Sequence, residues 1–267
     1  MSTFLFREIV FGPVQSRRLG VSLGINLLPV QNKYCNFDCI YCECGRNVKE
    51  TSAGSNVGAG LAPALASVQD IYKALEDKLN IMHQAGSFPD AITFAGNGEP
   101  TIHPAFGEII DNTVLLRDRY APQSKISVLS NATMLHRQEV IEALKKVDKP
   151  ILKLDSAIDK TIELMNQPSK KILSSKLIEQ LQSFGNQCIV QTMFLQGQYN
   201  SQTIDNTTPE ELDAWERAII TIRPRQVMIY TIARTTPVDT LYKVSGETLR
   251  EIAARIENHG IEVQISE

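Results

Sequence analysis

No window of this 267-residue chain approaches the roughly 20 consecutive apolar residues that a membrane helix needs. The N-terminus, Met1 to Val10, also lacks a basic segment followed by a long apolar stretch, so a secretory leader is not expected. Cysteine is scarce. There are five, an odd number, and three of them fall within eight residues, which is not the pattern of a secreted disulfide framework and fits a reducing cytosol. Basic charge is not in excess either: the net charge is −3 and the pI about 5.9, whereas proteins of duplex or transfer RNA usually carry a basic footprint. Arg17, Arg18 and Lys33 form at most a local basic patch. No internal repeat and no break in composition divides the chain. These absences predict a soluble cytoplasmic monomer with a single domain over 1–267, its core at about 10–240 and a helix-and-strand extension at 241–267.

Apolar residues make up 43% of the chain, enough for a sizeable core. Short runs rich in Val, Ile and Leu alternate with amphipathic stretches, the sequence form of repeated βα units and a parallel sheet. The strands are expected at 21–28, 91–95, 125–129, 151–155, 188–194, 226–232 and 261–265. Between them, helical stripes run through Ile71, Leu75, Leu79 and Met82; through Val140, Ile141, Leu144 and Val147; through Leu177, Ile178, Leu181 and Phe184; and through Leu212, Trp215, Ile219 and Ile222. Thr208-Pro209-Glu210-Glu211 reads as a helix start with an N-cap, a proline at N1 and a capping-box glutamate. Six such units suit a partial (βα)6 TIM-like barrel with an open lateral side better than a flat sheet. In either architecture ligands gather at the carboxyl ends of the strands. Two polar stretches, 51–66 and 196–207, break the pattern and read as loops.

The densest chemistry lies at Tyr34-Cys35-Asn36-Phe37-Asp38-Cys39-Ile40-Tyr41-Cys42, where the cysteines are spaced C-x3-C-x2-C. A [4Fe–4S] cluster normally takes four thiolates, so a tight set of three leaves one iron open for chemistry. Cys44 extends the run to C-x3-C-x2-C-x-C, four thiolates that zinc would accept, and spacing by itself leaves both sites open.

Further polar groups sit at later strand ends. Ala95-Gly96-Asn97-Gly98-Glu99-Pro100 ends the second strand pattern, where glycines permit close backbone approach. Ser130 and Asn131 end the third. Alternation puts Lys153 and Asp155 on one face of the fourth, toward a barrel interior. Gln191 and Met193 share a face of the fifth, with Cys188 on the opposite face as a small core residue. Arg234 follows the sixth, placed to receive an anionic group or to serve as a surface arginine. His103 reads as structural.

Taken together, C-x3-C-x-Φ-C with Tyr41 as the aromatic Φ, GNGEPT, LSNAT, LKLDS, QTMF and IYTIART, with the segment from Phe11 to Asn26 before them, resemble the radical S-adenosylmethionine (radical SAM) enzymes. Within that superfamily the chain resembles the "Fe–S oxidoreductase" branch grouped with wyosine-type tRNA-modifying enzymes. The resemblance implies one [4Fe–4S] cluster on Cys35, Cys39 and Cys42, whose open iron chelates S-adenosylmethionine. It implies that electron transfer cleaves this cofactor to methionine and a 5′-deoxyadenosyl radical, which abstracts hydrogen from a substrate. It places Gly96, Asn97, Gly98 and Glu99 at the methionyl ammonium group, Ser130 and Asn131 at the ribose, Lys153 at the carboxylate, Gln191 and Met193 at adenosine or substrate, and the Tyr41 backbone near adenine. A flavodoxin or ferredoxin would supply electrons. Wyosine-type enzymes hold a second cluster on additional N-terminal cysteines, whereas here no cysteine precedes Cys35, so one cluster is expected and a tRNA substrate draws no support from the net charge. The alternative from a different class is a zinc-stabilised module binding RNA or protein through Arg17, Arg18 and Lys33.

Overall fold

The computed structural model describes residues 4–47 and 65–267. In chain order its elements are β1 (Val10–Ser16), β2 (Gly20–Ile25), α1 (Val68–Gln84), β3 (Ala91–Phe94), α2 (Phe106–Tyr120), β4 (Lys125–Ser130), α3 (Gln138–Lys145), β5 (Lys149–Lys153), α4 (Asp159–Asn166), α5 (Ser174–Gln182), β6 (Ile189–Tyr199), β7 (Gln202–Asp205), α6 (Pro209–Ile222), β8 (Gln226–Thr231), β9 (Leu241–Lys243), α7 (Gly246–Glu257) and β10 (Glu262–Ser266). All seven strands expected from the sequence are present.

Strands β2, β3, β4, β5, β6, β8 and β10 pair in that order, each parallel to the next, and β1 adds an antiparallel edge to β2. The register alternates side chains between two faces. Leu152, Val190 and Val227 share one face and pack with the apolar stripes of the helices, including Val140, Leu144, Leu177, Leu181, Trp215 and Ile219. The other face is the inside of the half-barrel. Ile151 and Ile189 form its lower row with Ala91, Leu19 and Met228 around them, and above them stand Lys153 beside Gln191 and then Met193 beside Tyr230. The outer strands β1 and β10 form no ladder with one another, so the sheet stays unclosed. Side chains cross the gap: Arg17 Nη1 donates to the Glu267 carbonyl at 2.6 Å, and Gln264 Nε2 donates to the Arg18 carbonyl at 3.3 Å. The fold is thus the open partial barrel of the expected class.

Three local outcomes differ from the sequence reading. The stretch 196–207, expected as a loop, is a hairpin: β6 runs on to Tyr199 and turns through Asn200 and Ser201, whose φ values of 50° and 60° give the mirror-image turn that matches strand twist. Polar composition hid it because both strands project beyond the sheet. The helix start at Thr208 is as read, with the Thr208 side chain accepting from the Glu211 N–H at 3.4 Å, but the Glu211 carboxylate does not reach back to close a capping box. It accepts hydrogen bonds from Ser156 and Thr161 and ties α6 to the start of α4. Lys33, read as part of a surface patch, is only 6% exposed. The proposed loop at 51–66 lies almost entirely outside the described residues.

Asp148, between α3 and β5, holds the lower end of the sheet. Its carboxylate accepts from the Ile126 N–H at 2.9 Å and from Arg117 at 3.0 Å, and it faces Lys125 at 3.5 Å. Partial burial opposes ionisation, but these donors and cations prevail and hold the carboxyl below the usual aspartate range. A carboxyl lowered by folding stabilises the protein above its unfolded value, and that contribution is lost as pH falls through the folded value. Asp148→Asn is therefore expected to cost about 1 kcal/mol at neutral pH, since the group is partly solvated. In chemical denaturation the difference from the wild type should vanish at pH values below the usual aspartate range.

Candidate active site

The cysteine loop follows β2 at the carboxyl end of the sheet and is bound there by backbone contacts. The Tyr34 N–H donates to the Asn97 carbonyl at 2.7 Å, and Tyr34 forms a parallel bridge with Gly98. Only glycine fits at 98: its φ is +146°, and a Cβ there would lie 1.9 Å from the Tyr34 carbonyl oxygen. At Gly96 a Cβ would stand 2.3 Å from Asn26 Oδ1, which accepts from the Asn97 N–H. On its far side the loop meets α4, where the Ile40 N–H donates to the Met165 carbonyl at 3.0 Å and the Asp38 N–H to the Asn166 carbonyl at 2.9 Å. The loop is thus clamped between the turn after β3 and the end of α4.

Cys39 is buried, while Cys35 and Cys42 are half-buried. Two asparagines from remote parts of the chain point N–H groups at their sulfurs: Asn131 Nδ2 lies 3.6 Å from Cys35 Sγ and Asn166 Nδ2 lies 3.5 Å from Cys39 Sγ. The Phe37 N–H is a further donor to Cys35 at 3.4 Å. Burial pushes the Cys35 thiol up, with the Glu99 charge adding to it, and burial likewise raises Cys39. Cys42 goes the other way. Interaction with the Cys44 side chain and the charge of Lys33 bring it down to about 6. Cys44 also reaches the Gly96 carbonyl at 3.4 Å.

Glu99 is 2% exposed, and four hydrogen bonds converge on it: from the Thr101 N–H (3.1 Å) and hydroxyl (2.5 Å) and the Ser130 hydroxyl (2.9 Å) to Oε1, and from the Asn131 N–H (2.6 Å) to Oε2. Burial raises its carboxyl above the usual range, although each of these donors pulls the other way. Of its lone-pair positions one on Oε2 is left. Glu99 therefore joins the turn after β3 to the end of β4, and Asn131 carries the connection on, through Asn36 at 2.7 Å, to the cysteine loop. Ala132, fully buried with φ at 65°, turns the chain sharply there. Asn97 takes no part: its amide bonds the Phe6 backbone and the Pro29 carbonyl, and so pins the N-terminal segment.

A second polar cluster stands beside Cys39. The Lys153 ammonium lies 3.1 Å from the Tyr41 hydroxyl, 3.3 Å from the Tyr230 hydroxyl and 3.5 Å from Asp155. Asp155 accepts in addition from the Tyr41 hydroxyl, from Asn166 Nδ2 at 2.7 Å and from the Met193 N–H at 2.9 Å. Burial by itself would lower the Lys153 ammonium, but Asp155, Tyr230 and Cys39 outweigh it and hold it above the usual lysine range. Gln191, in register with Lys153, is 6% exposed and its Nε2 has no partner among the described residues. Such an orphaned donor on an inner face is costly unless a ligand takes it.

The structure therefore brings Cys35, Cys39, Cys42, Tyr41, Glu99, Ser130, Asn131, Lys153, Gln191 and Met193 to one end of the sheet, with Gly96 and Gly98 shaping the backbone beneath. Sequence reading missed Asn36 and Asn166. Asn36 sits inside the cysteine motif and was open to notice; Asn166 ends a helix 127 residues from Cys39 and carried no signal. Arg234 is exposed and paired with Glu43 at 2.6 Å. His103 bonds the Ala66 carbonyl and the Ala105 N–H, a structural role. Cys188 is buried in the core, as expected.

Fold and site define an enzyme built on an open α/β barrel that gathers three thiols and a ring of buried polar groups at the strand carboxyl ends. The family model described as "Radical SAM superfamily" matches residues 32–207, and the chain belongs to that superfamily. It is a radical SAM enzyme, and membership implies S-adenosylmethionine, an iron–sulfur cluster and a reductant. A UPF0026 protein of Methanocaldococcus jannaschii is 31% identical over 204 residues, covering 74% of this chain and 58% of that protein. Among solved structures, a radical SAM methyltransferase from Sphaerobacter thermophilus superposes with a TM-score of 0.65 at 12% identity, covering 92% of this chain and 65% of that one. Streptococcus suis SuiB bound to S-adenosylmethionine gives 0.60 at 14% identity, covering 91% and 50%. The chain thus spans about half to two thirds of the length of these relatives, and the two structures share its fold. Among the described residues no helix is long and apolar enough to cross a membrane.

Proposed function

We propose that the chain holds one [4Fe–4S] cluster on Cys35, Cys39 and Cys42 and uses it to cleave S-adenosylmethionine reductively. The observation that carries this reading is the donor set: three thiols on one short loop, two of them faced by asparagine N–H groups that suit thiolate sulfur bound to iron, beside a buried orphan donor at Gln191. When bound, the cluster and S-adenosylmethionine supply an electron and a primary 5′-deoxyadenosyl radical able to take hydrogen from a substrate.

The chain's own residues bind and orient. Glu99 would meet the methionyl ammonium through its remaining Oε2 position, with the Gly96 and Gly98 backbone beneath. Lys153, kept charged by Asp155, would pair with the methionyl carboxylate. Ser130 and Asn131 would face the ribose, the Tyr41 backbone the adenine, and Gln191 and Met193 adenosine or substrate. Asn97 would act only by anchoring the turn. The aliphatic floor of Ile151, Ile189 and Met228 would keep water from the inner face beneath. An external reductant of the flavodoxin or ferredoxin class would deliver the electron.

The test is anaerobic reconstitution with iron and sulfide, reduction with dithionite, and chromatography for 5′-deoxyadenosine after addition of S-adenosylmethionine. The expected result is about four irons per chain and formation of 5′-deoxyadenosine. A fully loaded cluster that yields none, or a chain that takes up one zinc and no iron, would sink the reading.

A further inference from the structure

Lys33 is a buried cation that the sequence reading placed in a surface patch. Its side chain is 2% exposed, and its ammonium donates to Asp38 Oδ1 at 3.2 Å and to the Gly45 carbonyl at 3.0 Å. Asp38 is not its partner alone. Arg46 Nε lies 3.1 Å from Asp38 Oδ2, and the Asn47 N–H takes another position on Oδ1 at 2.7 Å. Among the described residues two cations thus share one carboxylate, Lys33 enclosed beneath the loop and Arg46 partly open to solvent. Among the described residues, Glu43 is paired with Arg234 and Glu99 with its four donors. The two partners of Lys33 enclose it in the segment that carries the thiols: Asp38 adjoins Cys39, and the Gly45 N–H donates to the Cys42 carbonyl at 2.9 Å.

We propose that Lys33 sets the reduction potential of the iron–sulfur cluster: its buried ammonium favours the reduced cluster, and Asp38, shared with Arg46, limits how far. The inference rests on the ligand assignment proposed above. The step concerned is the transfer of one electron from the external reductant, with no proton. A four-iron core of charge +2 on three thiolates carries −1, and after reduction −2, so a fixed cation nearby stabilises the product more than the reactant. Because the charge is held by the Asp38 and Gly45 contacts and is shielded from solvent, salt screens it weakly.

The test is a redox titration of the loaded protein without S-adenosylmethionine, followed by electron paramagnetic resonance of the reduced cluster. Lys33→Met should lower the ratio of reduced to oxidised cluster at a fixed potential at least tenfold, a fall of about 59 mV for a one-electron couple. Lys33→Arg should restore most of it. Asp38→Asn, which keeps an acceptor for Lys33 and the Asn47 N–H but removes the negative charge, should move the midpoint upward. A Lys33→Met protein with about four irons that titrates at the wild-type potential overturns the inference. If Lys33→Met fails to load, Asp38→Asn decides, and no upward shift overturns it. A wild-type protein that takes up no iron overturns the ligand assignment, and this inference with it.

Discussion

Cys39→Ala is expected to bring bound iron from about four per chain to near zero and 5′-deoxyadenosine below detection, whereas Cys188→Ala leaves both in place. Cys39 is the most enclosed thiol of the loop, 7% exposed, with the Ile40 N–H beside it anchored to α4 and Asn166 directed at its sulfur. No other cysteine of the loop replaces it in position, because Cys35 faces Asn131 at the end of β4 and Cys42 lies a turn further on, its N–H bonded to the Cys39 carbonyl. Two remaining thiolates leave two irons open, too few contacts to retain a four-iron cluster. Cys188 hydrogen-bonds the Gly185 carbonyl from within the helix-facing core, so its removal costs that bond and some packing and leaves the thiols of the loop untouched. Cys44→Ala discriminates between ligand sets. The Cys44 thiol donates to the Gly96 carbonyl and lies outside the C-x3-C-x2-C set, so iron content should persist. Retention of iron in Cys39→Ala with loss in Cys44→Ala would assign the ligands to Cys35, Cys42 and Cys44 instead. Iron and sulfide analysis of the anaerobically reconstituted variants reads all three.

Asp155→Ala should be the most destabilising single change in the inner wall, about 3–5 kcal/mol. The Asp155 side chain is fully enclosed and joins four elements: Lys153 at the end of β5, Tyr41 in the cysteine loop, Asn166 at the end of α4 and the Met193 N–H in β6. Removing it leaves an ammonium 16% exposed with only hydroxyl partners, and a backbone N–H with none. For a chain of this size the loss corresponds to a fall in melting temperature of roughly 10 °C, measurable by circular dichroism. Because much of the cost is the stranded lysine, Lys153→Met with Asp155→Ala should be less destabilised than Asp155→Ala alone. A single-variant loss under about 1 kcal/mol would show that the network is solvated and carries little of the fold.

Much of this protein was legible in its sequence, for reasons that differ by feature. Strands such as 125–129 and 151–155 were readable because their Ile, Val and Leu residues recur in short runs between helical patterns, and alternation gave the shared face of Lys153 and Asp155. The Thr208–Pro209 start of α6 was readable because capping is local chemistry. Glu211 shows where such reading stops. Its side chain had a local partner on offer and took Ser156 and Thr161 instead, since burial at 7% exposure demands acceptors be used where donors lie. Lys33 failed in the same way: a lysine near two arginines reads as surface charge, and only the folding of residues 33–47 over it, through Asp38, Gly45 and Asn47, puts it inside.

The sequence by itself determined the three thiols, because Cys35, Cys39 and Cys42 lie within one short loop and covalent connection keeps them together whatever the rest of the chain does. It determined the parallel sheet and the end of that sheet where ligands gather. Only the tertiary structure decided what faces those thiols. Asn131 and Asn166 reach the sulfurs across 96 and 127 residues, and Asp155 reaches Tyr41 across 114. Contacts at such separations follow from sheet register and from how α4 closes over the strand ends. Neither is encoded in any local pattern, because hydrogen-bond pairing of buried groups is settled only when all the donors and acceptors are brought together and water is removed.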